Sequence, residues 1–128
     1  MKKAIIYLSL AFVAFTGTLT ATAAPLHTAI KTTGTYGDNT PMAVAIMKGD
    51  LETVKKFVEY GADVNERSNG LTPLMLAARY NKVDIITFLL EKGAKLRDTD
   101  EKGNTALKYA QISKANEAIE VLKKAIAA

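Results

Sequence analysis

Hydrophobic residues along this chain fall into short helical stripes that come in pairs, and the pairs recur. Val83, Ile86, Leu89 and Leu90 are spaced three, three and one apart, the stripe of an amphipathic helix. A shorter block precedes it, in which Leu74, Ala77 and Ala78 offer a narrow apolar face suited to close helix packing. Asn81 and Lys82 interrupt the pattern between the two. Thr72 stands where an N-cap belongs, since its hydroxyl can accept an early helical N–H. Pro73 follows at the first helical position, where a missing N–H costs little. Gly93 stands where the second helix needs a left-handed cap, and Ala94 to Glu101 reads as an extended excursion into the next turn.

The unit is repeated. Thr40-Pro41-Met42-Ala43-Val44-Ala45 is echoed by Thr72-Pro73-Leu74-Met75-Leu76-Ala77, 32 residues on, and by Thr105-Ala106-Leu107-Lys108-Tyr109-Ala110, a further 33 on. Val54, Phe57, Val58 and Gly61 match Ile86, Leu89, Leu90 and Gly93 at the same displacement of 32. A period of this length marks stacked helical repeats. Neither helix can bury its stripe alone, but stacked neighbours can, and each fully buried Leu, Ile or Val contributes roughly 1.5–3 kcal/mol. The one-residue difference in period is assigned to the hairpin between Asn65 and Thr72, which leaves both helices whole.

Gly70-Leu71-Thr72-Pro73-Leu74-Met75-Leu76-Ala77-Ala78 and Gly61-Ala62-Asp63-Val64-Asn65 resemble the ankyrin-repeat family almost literally, over about residues 35 to 124. The resemblance implies an all-α solenoid of helix-turn-helix units joined by β-hairpin-like loops. About three repeats are expected, near 35–66, 67–99 and 100–128. The departures matter. The family's turn histidine is replaced by Ala43, Met75 and Lys108, so these turns must be held by other groups. The third unit has Ala106 for the proline and Gln111 for the second alanine, and it ends without a Gly-Ala-Asp motif. Terminal repeats are atypical because one face meets water; Glu117, Glu120, Lys123 and Lys124 read as that polar cap.

Met1 to Ala23 follows a different logic. Lys2 and Lys3 open it, Ala4 to Thr16 is apolar apart from Tyr7 and Ser9, and Ala21-Thr22-Ala23 supplies small residues for a cut. This is the layout of a cleaved secretory signal. Its apolar run of about 13 residues is short of the roughly 20 needed to span a bilayer, and no second run follows. The expectation is an exported protein cut after Ala23, periplasmic in a Gram-negative cell and secreted otherwise, with no integral membrane segment after cleavage. Residues 24–39 read as a lead-in and loop, with Pro25 to Lys31 a short helix covering the first repeat; Pro25 precedes Pro41 by too few residues for a complete unit.

Charge and chemistry change this picture little. The formal charge of +4 loses Lys2 and Lys3 with the signal, so the pI near 9.3 overstates a case for nucleic acid, and none is expected. The chain has no cysteine, which removes disulfides, a thiol nucleophile and a lipid-modified cysteine. His27 is the sole histidine and has no serine near it in sequence. Asp98, Asp100 and Glu101 lack the calcium-loop pattern, and Asp100 falls on the family's Asp at the start of a hairpin, where it helps set the turn. No catalytic residue, metal site or cofactor is expected.

A binding surface is expected instead. In ankyrin proteins the hairpin tips and the exposed side of each first helix form a concave face. Carried over by position, that face comprises Tyr36, Asn39, Met47 and Lys48 from the first unit. The second gives Ser68, Asn69, Leu71, Arg79 and Tyr80, and the third Glu101, Lys102, Asn104, Ile112 and Ser113. Tyr and Arg are common interface anchors, and Met47, Leu71 and Ile112 add apolar contact. Tyr36, Met47, Lys48, Leu71, Arg79, Tyr80, Lys102 and Ile112 are therefore the candidate partner-binding residues of a monomeric protein-binding module. The alternatives are an inhibitor or immunity-type protein that neutralises an exported toxin or enzyme, and a structural scaffold without a dedicated partner.

Overall fold

The computed structural model describes residues 38–128. The expected signal, the lead-in, His27 and Tyr36 lie outside the described residues. Six helices follow in order: α1 (Pro41–Lys48), α2 (Leu51–Glu59), α3 (Pro73–Arg79), α4 (Val83–Glu91), α5 (Ala106–Ile112) and α6 (Asn116–Ala127). They form two layers. The inner helices α1, α3 and α5 pack side by side, and the outer helices α2, α4 and α6 stack behind them, each folded back against its own inner helix.

Local chemistry sets these boundaries. Thr40, Thr72 and Thr105 each cap an inner helix by accepting the N–H three residues on, at 3.2 Å in all three cases. Pro41 and Pro73 sit in the first turn behind them. Inner and outer helix are separated by one left-handed residue at equivalent positions, Gly49, Asn81 and Lys114, with φ of 74°, 56° and 55°. That conformation helps reverse the chain within the two or three residues between the helices, which keeps the pair tight.

The core runs through both layers. In α3 every residue from Pro73 to Ala78 is buried, which is wider than the stripe of Leu74, Ala77 and Ala78 predicted from sequence. The reason is position: α3 is flanked by α1 and α5 and backed by α4, so only its end meets water. The same holds for α4, where Ile85 joins Ile86 and Leu89 in the buried face because the helix touches α2 on one side and α6 on the other. At the end of the stack α6 buries only Ala118 and Leu122. Glu117, Glu120, Lys123 and Lys124 are exposed, as a terminal cap requires.

The two hairpins differ in a way that accounts for the changing period. Ser68 and Leu71 exchange both backbone hydrogen bonds, at 2.9 and 3.0 Å, around Asn69 and Gly70, whose φ values of 52° and 79° are the left-handed pair of a type I′ turn. In the next hairpin the Asp100 N–H reaches the Asn104 carbonyl at 3.0 Å around a three-residue loop, with Gly103 in the left-handed position. The extra residue is thus absorbed at the hairpin tip.

Candidate functional site

The hairpins are sewn to one another by polar side chains. The Thr40 N–H donates to Ser68 Oγ at 3.0 Å, and Asn69 Nδ2 donates to Asn39 Oδ1 at 2.9 Å. Arg67 bridges forward, donating to the carbonyls of Gly70 and Thr99 at 3.0 Å each, with Asp98 at 3.7 Å. Asn65 Oδ1 accepts the Lys95 N–H at 2.9 Å. Asn39, Ser68, Asn69 and Asn104, all on the face expected from sequence, therefore spend hydrogen-bonding capacity within the hairpins.

Asp100 organises the second hairpin. One carboxylate oxygen accepts the N–H groups of Lys102 and Asn104 at 2.9 and 2.8 Å. The other takes Asn104 Nδ2 at 3.2 Å and the Tyr109 hydroxyl. The Tyr109 hydroxyl, followed by the backbone N–H of Asn104, lowers the Asp100 pKa to about 2. The same contact raises the Tyr109 pKa. Asp100 is thus an ionised structural anchor, with its lone pairs directed at its own loop and at α5.

The groups replacing the family's turn histidine are visible here. In the middle repeat the buried Met75 Sδ accepts the Thr72 N–H at 3.5 Å, while Thr72 Oγ1 accepts from Met75 N. In the first repeat the equivalent Thr40 N–H is taken by Ser68 of the following hairpin. A thioether and a neighbour's hydroxyl do the work of one imidazole.

The candidate binding residues separate into two groups. Leu71 and Lys102 line one groove of about 300 Å³ together with Asn69, Gly70, Asp100, Glu101 and Tyr109. Leu71 is half-buried against the core and Lys102 is exposed. The second group lies at the far ends of the inner helices. Met47, Arg79 and Ile112 occupy equivalent positions, as do Lys48, Tyr80 and Ser113. Met47 is half-buried, whereas Ile112 is 61% and Tyr80 41% exposed. The Arg79 guanidinium lies 5.8 Å from the centroid of the Tyr80 ring, within cation–π range. One exposed aromatic went unpredicted: Tyr60, 86% exposed at the end of α2. The sequence signal was an aromatic where the next unit carries Lys92.

Among the described residues no cluster of three or more His, Cys, Asp or Glu could hold a metal ion, and no helix is long and apolar enough to cross a membrane. Paired helices stacked in register, with hairpins along one edge, define a solenoid repeat protein built for an extended contact surface. The family model described as ankyrin repeats in three copies matches residues 18–100 and 42–127, and the chain belongs to the ankyrin-repeat family. It is 39% identical over 74 residues to the phosphocholine transferase AnkX of Legionella pneumophila, an overlap covering 56% of this chain and 8% of that protein. It is 39% identical over 61 residues to human protein phosphatase 1 regulatory subunit 27, covering 47% and 40%. It is 38% identical over 71 residues to human ankyrin repeat and SOCS box protein 11, covering 56% and 22%. The chain thus spans less than half the length of each of these relatives. Ankyrin-repeat domains are generally non-catalytic modules for protein interaction, and the two-layer stack fits that role.

Proposed function

We propose that this chain is an exported, monomeric module that holds a protein partner on its hairpin and inner-helix face. The observation that carries this reading is the exposure of Ile112 and Tyr80 beside Arg79. Large apolar and aromatic side chains in water next to a guanidinium are the composition of an interface anchor, and neither is needed to fill the core. Met47 and Lys48 extend the row into the first repeat. Leu71 and Lys102 provide a second contact in the hairpin groove, and Tyr36 is assigned to the same interface from its position in the sequence alone. Export rests on the Met1–Ala23 signal pattern, and the periplasm is the proposed destination in a Gram-negative cell.

Both parts are testable. Intact-mass measurement of the protein recovered from the periplasmic fraction should give a chain beginning at Ala24; a mass that retains Met1–Ala23 defeats the export proposal. A photo-crosslinker replacing Tyr80 should capture a partner in the native compartment that a crosslinker replacing Thr87 on α4 does not. Alanine at both Arg79 and Tyr80 should weaken that complex by more than about 2 kcal/mol if they are hot spots. Unchanged affinity removes these two residues from the interface.

A further inference from the structure

Asn69 and Gly70 form the tip of the shorter hairpin, and they are the one place in the chain where glycine follows an asparagine. Asn39, Asn65, Asn81, Asn104 and Asn116 precede Thr, Glu, Lys, Thr and Glu. The difference is steric. A backbone nitrogen that attacks the preceding side-chain amide must come close to its Cγ, and a Cβ beside that nitrogen obstructs the approach; glycine has none. Asn69 is exposed. Among the described residues the Gly70 N–H has no acceptor, for the hydrogen bond Gly70 makes is through its carbonyl. Nothing lies within 4 Å of where a Gly70 Cβ would stand, so the tip has room for a ring and for water.

Two side chains hold this tip closed. Asn39 Oδ1 accepts from Asn69 Nδ2 at 2.9 Å. Arg67 donates to the Gly70 carbonyl at 3.0 Å, and is itself steadied by the Thr99 carbonyl and Asp98. Beneath the tip the two sides are joined by an isolated bridge, Ser68 to Leu71. Gly70 N can reach Asn69 Cγ only when the tip leaves its turn geometry. With one bridge to break, that is a local opening rather than an unfolding of the stack.

We propose that Asn69 is a site of spontaneous deamidation, gated by Arg67 and Asn39. In the open tip the Gly70 nitrogen bonds to Asn69 Cγ, the Cγ–Nδ2 bond breaks, and the proton of the Gly70 nitrogen departs with the amide as ammonia. Water then opens the five-membered ring at either of its carbonyls, leaving aspartate or isoaspartate. The inference does not depend on the binding face proposed above.

The product cannot rebuild the tip. A carboxylate has no proton to give Asn39 Oδ1, an oxygen that also accepts from Ser68 Oγ at 3.4 Å. The new charge joins Asp100 and Glu101 in lining the same groove. Isoaspartate also adds a carbon to the main chain of a turn that closes in two residues. Age after synthesis therefore cuts the stitch between Asn39 and Asn69 and makes the groove more acidic.

The test incubates the protein as purified at mildly alkaline pH and maps its peptides by mass spectrometry at intervals. Asn69 should exchange its amide for an acid first, while Asn81 and Asn116, also exposed, keep theirs; isoaspartyl methyltransferase should label the product. Arg67→Ala and Asn39→Ala should each speed the reaction about fivefold, the effect of one lost hydrogen bond on the opening equilibrium. Glu66→Ala, in the same hairpin, should leave the rate unchanged. Asn69→Asp, a stable mimic of one product, should speed hydrogen exchange at the Ser68 and Leu71 amides and leave that of Ala118 as it was. Retention of the amide at Asn69 while Asn81 or Asn116 loses its own overturns the site. A rate that neither Arg67→Ala nor Asn39→Ala changes overturns the gate, as does faster exchange at Ala118 in those variants, which marks global unfolding. Unchanged exchange at Ser68 and Leu71 in Asn69→Asp overturns the structural consequence.

Discussion

Asn81 caps a helix in the next repeat: its Oδ1 accepts the N–H of Ala118, in the first turn of α6, at 3.0 Å. The α6 N-cap residue, Ala115, has no side chain able to do this. By contrast, α2 is capped locally by Asp50, which accepts the Thr53 N–H at 3.1 Å. The last helix pair is therefore tied to the middle one by a hydrogen bond as well as by packing. Replacing Asn81 by Ala removes that bond and places a Cβ-bearing residue without a compensating polar group in the left-handed region. The expected loss is about 2 kcal/mol. Asn81→Gly, which keeps the conformation and removes only the bond, should lose about 1 kcal/mol. Urea midpoints of the three proteins, at constant m-value, check the order.

Lys114 occupies the same left-handed position as Gly49 and Asn81, with φ of 55°. A lysine gains no local hydrogen bond there to offset the steric cost of roughly 1–2 kcal/mol. Lys114→Gly should therefore stabilise the protein by about 0.5–1 kcal/mol after the entropy of glycine in the unfolded chain is counted. A thermal midpoint that falls would show that the lysine side chain holds the turn in some other way.

Met75 accepts the Thr72 N–H through sulfur in a fully buried site. Met75→Leu keeps volume and hydrophobicity but leaves that N–H without an acceptor, at about 1 kcal/mol or more. Met42, also buried, provides the control: Met42→Leu should change stability less than Met75→Leu. Met75→His should recover part of the loss, because an imidazole nitrogen can accept the same N–H. Chemical denaturation of the three single variants measures the difference.

The bond from Tyr109 to Asp100 makes stability depend on pH at both extremes. The Asp100 pKa falls from 3.8 to about 2 on folding, so the folded state binds the proton less well than the unfolded one. Its stabilising contribution is complete above about pH 4 and is lost as pH falls towards 2. Tyr109 behaves oppositely. Its pKa is raised above 10.0, so its contribution is complete below pH 10 and is lost as pH rises through the folded value. Tyr109→Phe should flatten the stability profile at both ends while leaving the slope near pH 7 unchanged. Urea unfolding across pH 2–5 and 9–11 reads this out.

The architecture was legible because it depends on residues whose chemistry acts locally. Thr72 and Pro73 announce a helix start wherever they occur, and Gly93, at φ 92°, announces an end. What sequence periodicity missed was imposed by neighbours. Ile85 reads as off the stripe until α2 and α6 flank it, and the full burial of α3 follows from having a helix on either side. The candidate face was legible in outline for the same reason that it was blurred in detail. Position within a repeat locates Leu71, Lys102 and Ile112, but nothing in their spacing says that Ser68 and Asn69 are engaged with Asn39. Such partners lie about one repeat away in the chain, where no local pattern reaches.

The two hairpin tips have a consequence for how such a chain can change. One closes in two residues at Asn69-Gly70, the other in three at Glu101-Lys102-Gly103, yet the inner helix that follows each tip starts at an equivalent threonine cap. The tip therefore acts as an expansion joint. Length can be added or removed there without passing a shift on to the stack, so the hairpin loops can be lengthened at these points while the scaffold behind them stays in phase.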